Sequence, residues 1–276
     1  MTHPQGGSSP MVGLLQAHPW QPGDPPPPLP QATAPPLLLL INCHNPFPES
    51  EREALFASLS PLERQRHSSY RRPDDRDRFL MARASLRELL GSWLALSPAS
   101  IPIATSCQGK PHCPSPGAPA FNLSHSGDLI LLGFHGCLAV GVDVEQARPE
   151  LDWCPIARRV LTPAELAALQ ALPLAEQPDA FLAAWCLLEA QLKAQGAGLG
   201  GLDGLRRSHP SFDVALPVTL WSVAVPTGYA AAAALYNPFL FTAPRVAAAG
   251  AARPSPPASG APQAGSSPNA VQPWGG

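Results

Sequence analysis

Proline limits where this chain can fold. Of its 37 prolines, residues 1–36 hold 11 and residues 244–276 hold 7. Proline fixes φ and lacks the backbone donor that helix interiors and central strands need. The two ends, 1–36 and 244–276, are therefore expected to be disordered Pro-rich tails that are dispensable for catalysis. The 207 residues between them carry the other 19 prolines and read as the folded body. Collagen is excluded because there is no Gly-X-Y period. Global disorder is excluded because 45% of the residues are hydrophobic.

The charge balance narrows the partners. Eighteen basic against 20 acidic side chains give a net charge of −2, without the basic excess of a nucleic-acid binder. No apolar run reaches the roughly 18 residues of a membrane span. Met1-Thr2-His3-Pro4 lacks the charged and apolar regions of a secretory signal. Cys43, Cys107, Cys113, Cys137, Cys154 and Cys186 are spaced for neither a disulfide scaffold nor a zinc site. Reduced thiols in a cytoplasmic protein are expected.

Within the body, residues 37–43 (LLLLINC) read as a strand and 50–72 as a charged helical stretch. Ser60-Pro61-Leu62-Glu63 has the form of an N-cap, a first-turn proline and a glutamate. Apolar residues at helical spacing from Asp74 to Leu96 predict the clearest helix, and Pro98 ends it. A Pro/Gly/Ser loop fills 107–120. Leu129–Phe134 and Leu138–Val144 read as strands joined by a short turn. Thr162-Pro163-Ala164-Glu165 repeats the capping pattern, and residues 179–195 form a helix that stops at Gly196. A Gly-rich turn follows, then strands at Phe212–Leu216, Thr219–Val225 and Tyr229–Leu235. The two halves share this order of elements, which predicts an α+β fold built from a duplicated unit.

Three segments concentrate polar chemistry. In GVDVE, Asp143 and Glu145 lie two apart, so a strand puts both on one face and Val142 and Val144 on the other. Two neighbouring carboxylates repel unless neutralised. They mark either a cation site or a strand end reaching solvent. Glu189 and Lys193 stand at i and i+4 on a helix that carries no other charge from Phe181 to Gln195. They form either an exposed ion pair or a partly buried site. FNLSHSG reads as a turn that places Ser124 and His125 among polar groups, where the histidine serves as a proton carrier, a phosphate donor or a structural group. Lys110 is the single charge in its loop. GAGLGG follows a helix and lacks GK[ST], so it is not a phosphate loop.

The order of these segments is informative. LSPLERQR, the arginine-rich helix through SLRELL, GKP, FNLSHSG, GVDVE, LTPAEL and WCLLEAQLKAQGAGL together resemble the 4′-phosphopantetheinyl transferases, in particular the two-lobed surfactin-synthetase-activating type. The resemblance covers about residues 58–225. It implies two similar lobes related by a pseudo-two-fold axis, here 37–138 and 139–243. It also implies Mg²⁺-dependent transfer of the phosphopantetheine arm of coenzyme A to a serine of an acyl, peptidyl or polyketide carrier protein, with release of adenosine 3′,5′-bisphosphate. A monomer is expected, with no nucleic-acid or membrane partner. By position, Asp143, Glu145 and Glu189 match Mg²⁺ ligands. Glu189 also matches a general base, and Lys193 a lysine beside the diphosphate. Arg66, Arg78, Lys110, Ser124 and His125 match groups holding coenzyme A. One residue departs from the pattern: Leu188 stands where W-x-x-K-E-A has lysine. The alternative is therefore a degenerate protein that binds coenzyme A or a carrier with weak or no transfer.

Overall fold

The computed structural model describes residues 12–43, 48–197 and 218–237. In chain order the strands are β1 (Gly13–Gln16), β2 (His18–Pro19), β3 (Leu37–Asn42), β4 (Ala104–Thr105), β5 (Pro111–His112), β6 (Ala120–Ser126), β7 (Leu129–His135), β8 (Ala139–Gln146), β9 (Val218–Ala224) and β10 (Tyr229–Tyr236). The helices are α1 (Glu49–Ser58), α2 (Pro61–Ser69), α3 (Pro73–Leu94), α4 (Trp153–Val160), α5 (Pro163–Gln170) and α6 (Gln177–Gln195).

Eight of the strands form two four-stranded sheets of matching design, and β4 and β5 pair separately with each other. One large sheet runs β2-β3-β7-β6 and the other β1-β9-β10-β8. In each, the first pair is parallel and the next two are antiparallel. The fold is therefore α+β, with two similar halves.

Side-chain alternation sets the layers. On β3 and β7, Leu39, Ile41, Ile130, Leu132 and Phe134 pack under Leu86, Leu89 and Leu90 of α3. The opposite face, Leu38, Leu129 and Leu131, meets Val140, Val142 and Val144 of β8 and Ala231, Ala233 and Leu235 of β10. The far face of the second sheet lies under Cys186, Ala190 and Ala194 of α6. The order is helix, sheet, sheet, helix. α6 approaches closely because Ala232, Ala234 and Gly141 offer almost no side chain, and a methyl group at Gly141 would strike the Ala190 carbonyl.

Residues 12–36, expected within a disordered tail, take part in the fold. β1 extends the second sheet beside β9, and β2 extends the first beside β3. Trp20 is buried in the α3 core, and Pro27 accepts a hydrogen bond from the Trp93 indole at 3.0 Å. Among the described residues here, Pro19 lies in the edge strand β2, Pro22 in a turn and the other prolines in irregular segments, where a missing N–H costs no ladder bond. Two further differences concern local elements. The charged stretch 50–72 is two helices, the second opened by the Ser60–Glu63 capping box. FNLSHSG is strand rather than turn. The expected strand 212–216, most of the Gly-rich turn and the 244–276 tail lie outside the described residues.

Candidate active site

The site lies where the edge strands β6 and β8 meet. Polar side chains at alternate positions of β6 join them. The Asn122 side-chain oxygen accepts from the Val142 amide at 2.9 Å, and Ser124 Oγ donates to Asp143 Oδ1 at 2.9 Å. Ser126 Oγ donates to Glu145 Oε2 at 2.8 Å and accepts from the Gln146 amide at 3.1 Å. Each hydroxyl fixes the direction of one carboxylate.

Asp143 and Glu145 share one face of β8, as the period of two requires. Val142 and Val144 fill the core behind them. Asp143 is 2% exposed. From α6, Lys193 Nζ donates to Asp143 Oδ1 at 2.6 Å and to Ser124 Oγ at 3.2 Å. Burial opposes the Lys193 charge, but Asp143, Glu189 and Glu145 together raise its pKa above the ordinary lysine value. Glu189, one turn earlier on α6, faces the same group. Burial raises its carboxyl pKa; Lys193 pulls it down, and Asp143 and Glu145 push it up. Glu145 is raised by burial and then by Asp143, against the Ser126 hydrogen bond and the charge of Lys193. Three carboxylates thus face one lysine, and the cluster is short of positive charge.

The donor set fits a divalent hard cation. Asp143 Oδ2 and Glu189 Oε1 are buried and lack a hydrogen-bond partner among the described residues. Buried carboxylate oxygens of this kind demand a proton or a cation. As they stand, no three His, Cys, Asp or Glu side chains among the described residues form a ready-made metal cluster. Lys193 holds one of the Asp143 oxygens.

The other expected site residues divide. His125 is on β6, one position from Ser124. Burial, then the charges of Arg78 and Lys193, lower it to about 4, so it is neutral at physiological pH. Arg78 donates to the Gly127 carbonyl at 2.8 Å and pairs with Asp75 at 3.0 Å, which ties α3 to the turn after β6. Arg66 is on α2, with its guanidinium over the Phe79 ring at 5.6 Å. Lys110 turns inward. Its ammonium is bonded to three backbone carbonyls, those of Val140, Lys193 and Ala194. Ser124 likewise spends its hydroxyl within the protein, on Asp143 and Lys193. Leu188 packs with Trp153, Ile156, Leu166 and Trp185 in the cluster between α6 and α4–α5. The sequence reading missed Asn122 and Ser126. Their signal is the recurrence of small polar residues at 122, 124 and 126, alternating with Phe121, Leu123 and His125.

Sequence relationships agree with this geometry. A model of the 4′-phosphopantetheinyl transferase superfamily matches residues 139–227, and one of the N-terminal part of such transferases matches 45–135. The chain is 35% identical to the 4′-phosphopantetheinyl transferase HetI of Nostoc over 159 residues, 56% of this chain and 67% of that protein. It is 36% identical over 140 residues to the transferase AcpT of Salmonella typhimurium, 48% of this chain and 72% of that one. The transferase Sfp of Bacillus subtilis is 29% identical over 160 residues, 58% of this chain and 70% of the relative. The chain belongs to the 4′-phosphopantetheinyl transferase family of enzymes.

Proposed function

We propose that this protein transfers the 4′-phosphopantetheine arm of coenzyme A to a serine of an acyl, peptidyl or polyketide carrier protein. The observation that carries this reading is the convergence of Asp143, Glu145 and Glu189 with Lys193 beside the FNLSHSG strand. The carrier serine oxygen attacks the phosphorus that bears pantetheine. A new P–O bond forms, the P–O bond of the diphosphate bridge breaks, and adenosine 3′,5′-bisphosphate leaves. Phosphoryl transfer of this kind asks the protein mainly for positioning and charge stabilisation.

Glu189 receives the serine proton. Burial alone raises its carboxyl pKa, but a cation held by the same carboxylate would lower it, so the proton passes through an intervening water. Lys193 faces the diphosphate with a full positive charge, because the surrounding carboxylates favour its protonated form. His125, Arg78 and Arg66 would hold coenzyme A. Neutral His125 offers a hydrogen bond and the arginines offer charge. Asp143, Glu145 and Glu189 would hold Mg²⁺, which supplies neutralisation of the charge that builds on the leaving phosphate. The apolar packing of Leu188 supports a position outside the charged cluster, so the reading does not require a lysine there. No helix among the described residues is long and apolar enough to cross a membrane. All six cysteines are free thiols, which suits the proposed cytoplasmic monomer.

The test is incubation of the protein with coenzyme A, Mg²⁺ and several apo carrier proteins, followed by intact mass measurement. The expected result is a gain of one phosphopantetheine arm on at least one carrier. Tight coenzyme A binding with no mass gain on any carrier would favour the degenerate binding protein instead.

A further inference from the structure

The chain has two lysines, Lys110 and Lys193, against 16 arginines, and the two are joined. Lys110 Nζ donates to the carbonyl of Lys193 at 2.6 Å, to that of Val140 at 2.9 Å and to that of Ala194 at 3.3 Å. Lys110 lies between β4 and β5, in the first half of the fold. Its acceptors lie on β8 and the last turn of α6, in the second half. The last carbonyls of a helix have no intrahelical partner and carry the negative end of its dipole. The Lys193 carbonyl already accepts from the Gly196 amide at 3.2 Å, and a cation placed there adds a charged donor that complements the dipole.

The geometry also explains the residue type. An ammonium is a compact charge with three rotatable donors, whereas a guanidinium is a planar fork. Three carbonyls converging from a strand and a helix end suit the former. With its three donors directed at carbonyls, Lys110 has none left for a phosphate. Burial lowers the ammonium to about 8, so it remains mostly charged at neutral pH. The backbone it grips belongs to Lys193, whose side chain meets Asp143 at 2.6 Å, and Glu189 lies one turn earlier.

We propose that Lys110 is a positioning residue: it clamps the last turn of α6 to β8, sets Lys193 and Glu189 against the β8 carboxylates, and does not bind coenzyme A itself. This deepens the transferase reading, and its kinetic test rests on that reading.

The experiment compares full-length wild type with Lys110→Met and Lys110→Arg. In Lys110→Met, kcat for carrier labelling should fall about 10- to 100-fold, as expected for a small displacement of reacting groups, with KM for coenzyme A within about twofold. Hydrogen exchange at the Gly196 and Ala197 amides, which close α6 onto Lys193 and Leu192, should quicken at least about tenfold. Lys110→Arg keeps the charge and should not restore kcat. A KM rise of about tenfold with kcat retained, or full rescue by arginine, would make Lys110 a phosphate ligand and overturn the proposal. Unchanged kcat and unchanged exchange would overturn it too. Because there are only two lysines, ¹⁵N-lysine labelling of the wild type gives two ammonium signals. Coenzyme A should move that of Lys193 and leave that of Lys110; a larger movement at Lys110 refutes the clamp. Hydrogen exchange needs no turnover. Faster exchange in Lys110→Met alongside a wild type that labels no carrier would therefore refute the transferase reading and leave the clamp standing.

Discussion

Trp20 provides a direct test of whether the proline-rich N-terminal segment is part of the fold. It is 4% exposed and packs with Leu39, Ile41 and Phe134. Its backbone amide donates to the Leu40 carbonyl at 3.1 Å. Truncating a buried tryptophan to alanine typically costs about 3–5 kcal/mol. The indole nitrogen of Trp20 has no partner among the described residues, and relieving a buried unsatisfied donor returns about 1 kcal/mol. Trp20→Ala should therefore destabilise by about 3 kcal/mol, while Trp20→Phe keeps most of the buried ring and should cost under about 1.5 kcal/mol. A chain starting at residue 37 also loses β1, β2, the Pro27–Trp93 bond and the 2.8 Å bond from the Gly23 amide to Glu88. It should lose more than Trp20→Ala alone, a large share of a typical 5–15 kcal/mol. The full chain is the reference. Urea unfolding followed by far-ultraviolet circular dichroism measures all four. A start-at-37 chain with an unshifted midpoint, or a Trp20→Ala loss under about 0.5 kcal/mol, would show that this segment only decorates the sheets.

Other perturbations probe the site. Gly141→Ala would drive a methyl group into the Ala190 carbonyl and the Ala194 amide; the forced separation of α6 from β8 should cost about 3 kcal/mol, read as a lower Tm, and an unchanged Tm would contradict the close approach. Asp143→Ala leaves Lys193 without its nearest carboxylate and should abolish carrier labelling while costing about 3 kcal/mol; near-normal labelling would remove Asp143 from the mechanism. His125 is held near pH 4 by burial, Arg78 and Lys193, below the ordinary histidine value of about 6.5. The stability contributed by its neutral form is thus complete above about pH 6.5 and drains by about 3 kcal/mol as pH falls to 4. His125→Gln should flatten that slope, and an NMR titration placing His125 at 6.5 or higher would refute the argument. Leu188→Lys puts a charge into the cluster with Trp153 and Leu166 and should lower stability by about 1–3 kcal/mol; no change in Tm would mean the side chain escapes to water.

What could be read from the sequence was what depends on near neighbours. The capping boxes at Ser60 and Thr162 form because each needs only a glutamate three residues on. Asp143 and Glu145 share a face because strand geometry leaves no choice. Glu189 and Lys193 stood out because the helix around them is otherwise uncharged. What was missed depends on distant partners. β1 is four residues long and pairs with Trp221–Ala224, more than 200 residues away, so no local pattern marks it. The inward bonds of Lys110 left no local sign because its acceptors, at 140, 193 and 194, are brought to it only by the packing of α6 on β8. FNLSHSG read as a turn because its alternation is polar. Strand alternation is usually recognised by an apolar face meeting a core, but here the face of Asn122, Ser124 and Ser126 meets another strand's edge. That inversion has a physical reason. Two edge strands joined by side-chain hydroxyls and an amide hold their carboxylates in fixed directions without closing into one continuous sheet. The junction therefore leaves Asp143 Oδ2 buried without a hydrogen-bond partner among the described residues, an oxygen that a cation would satisfy.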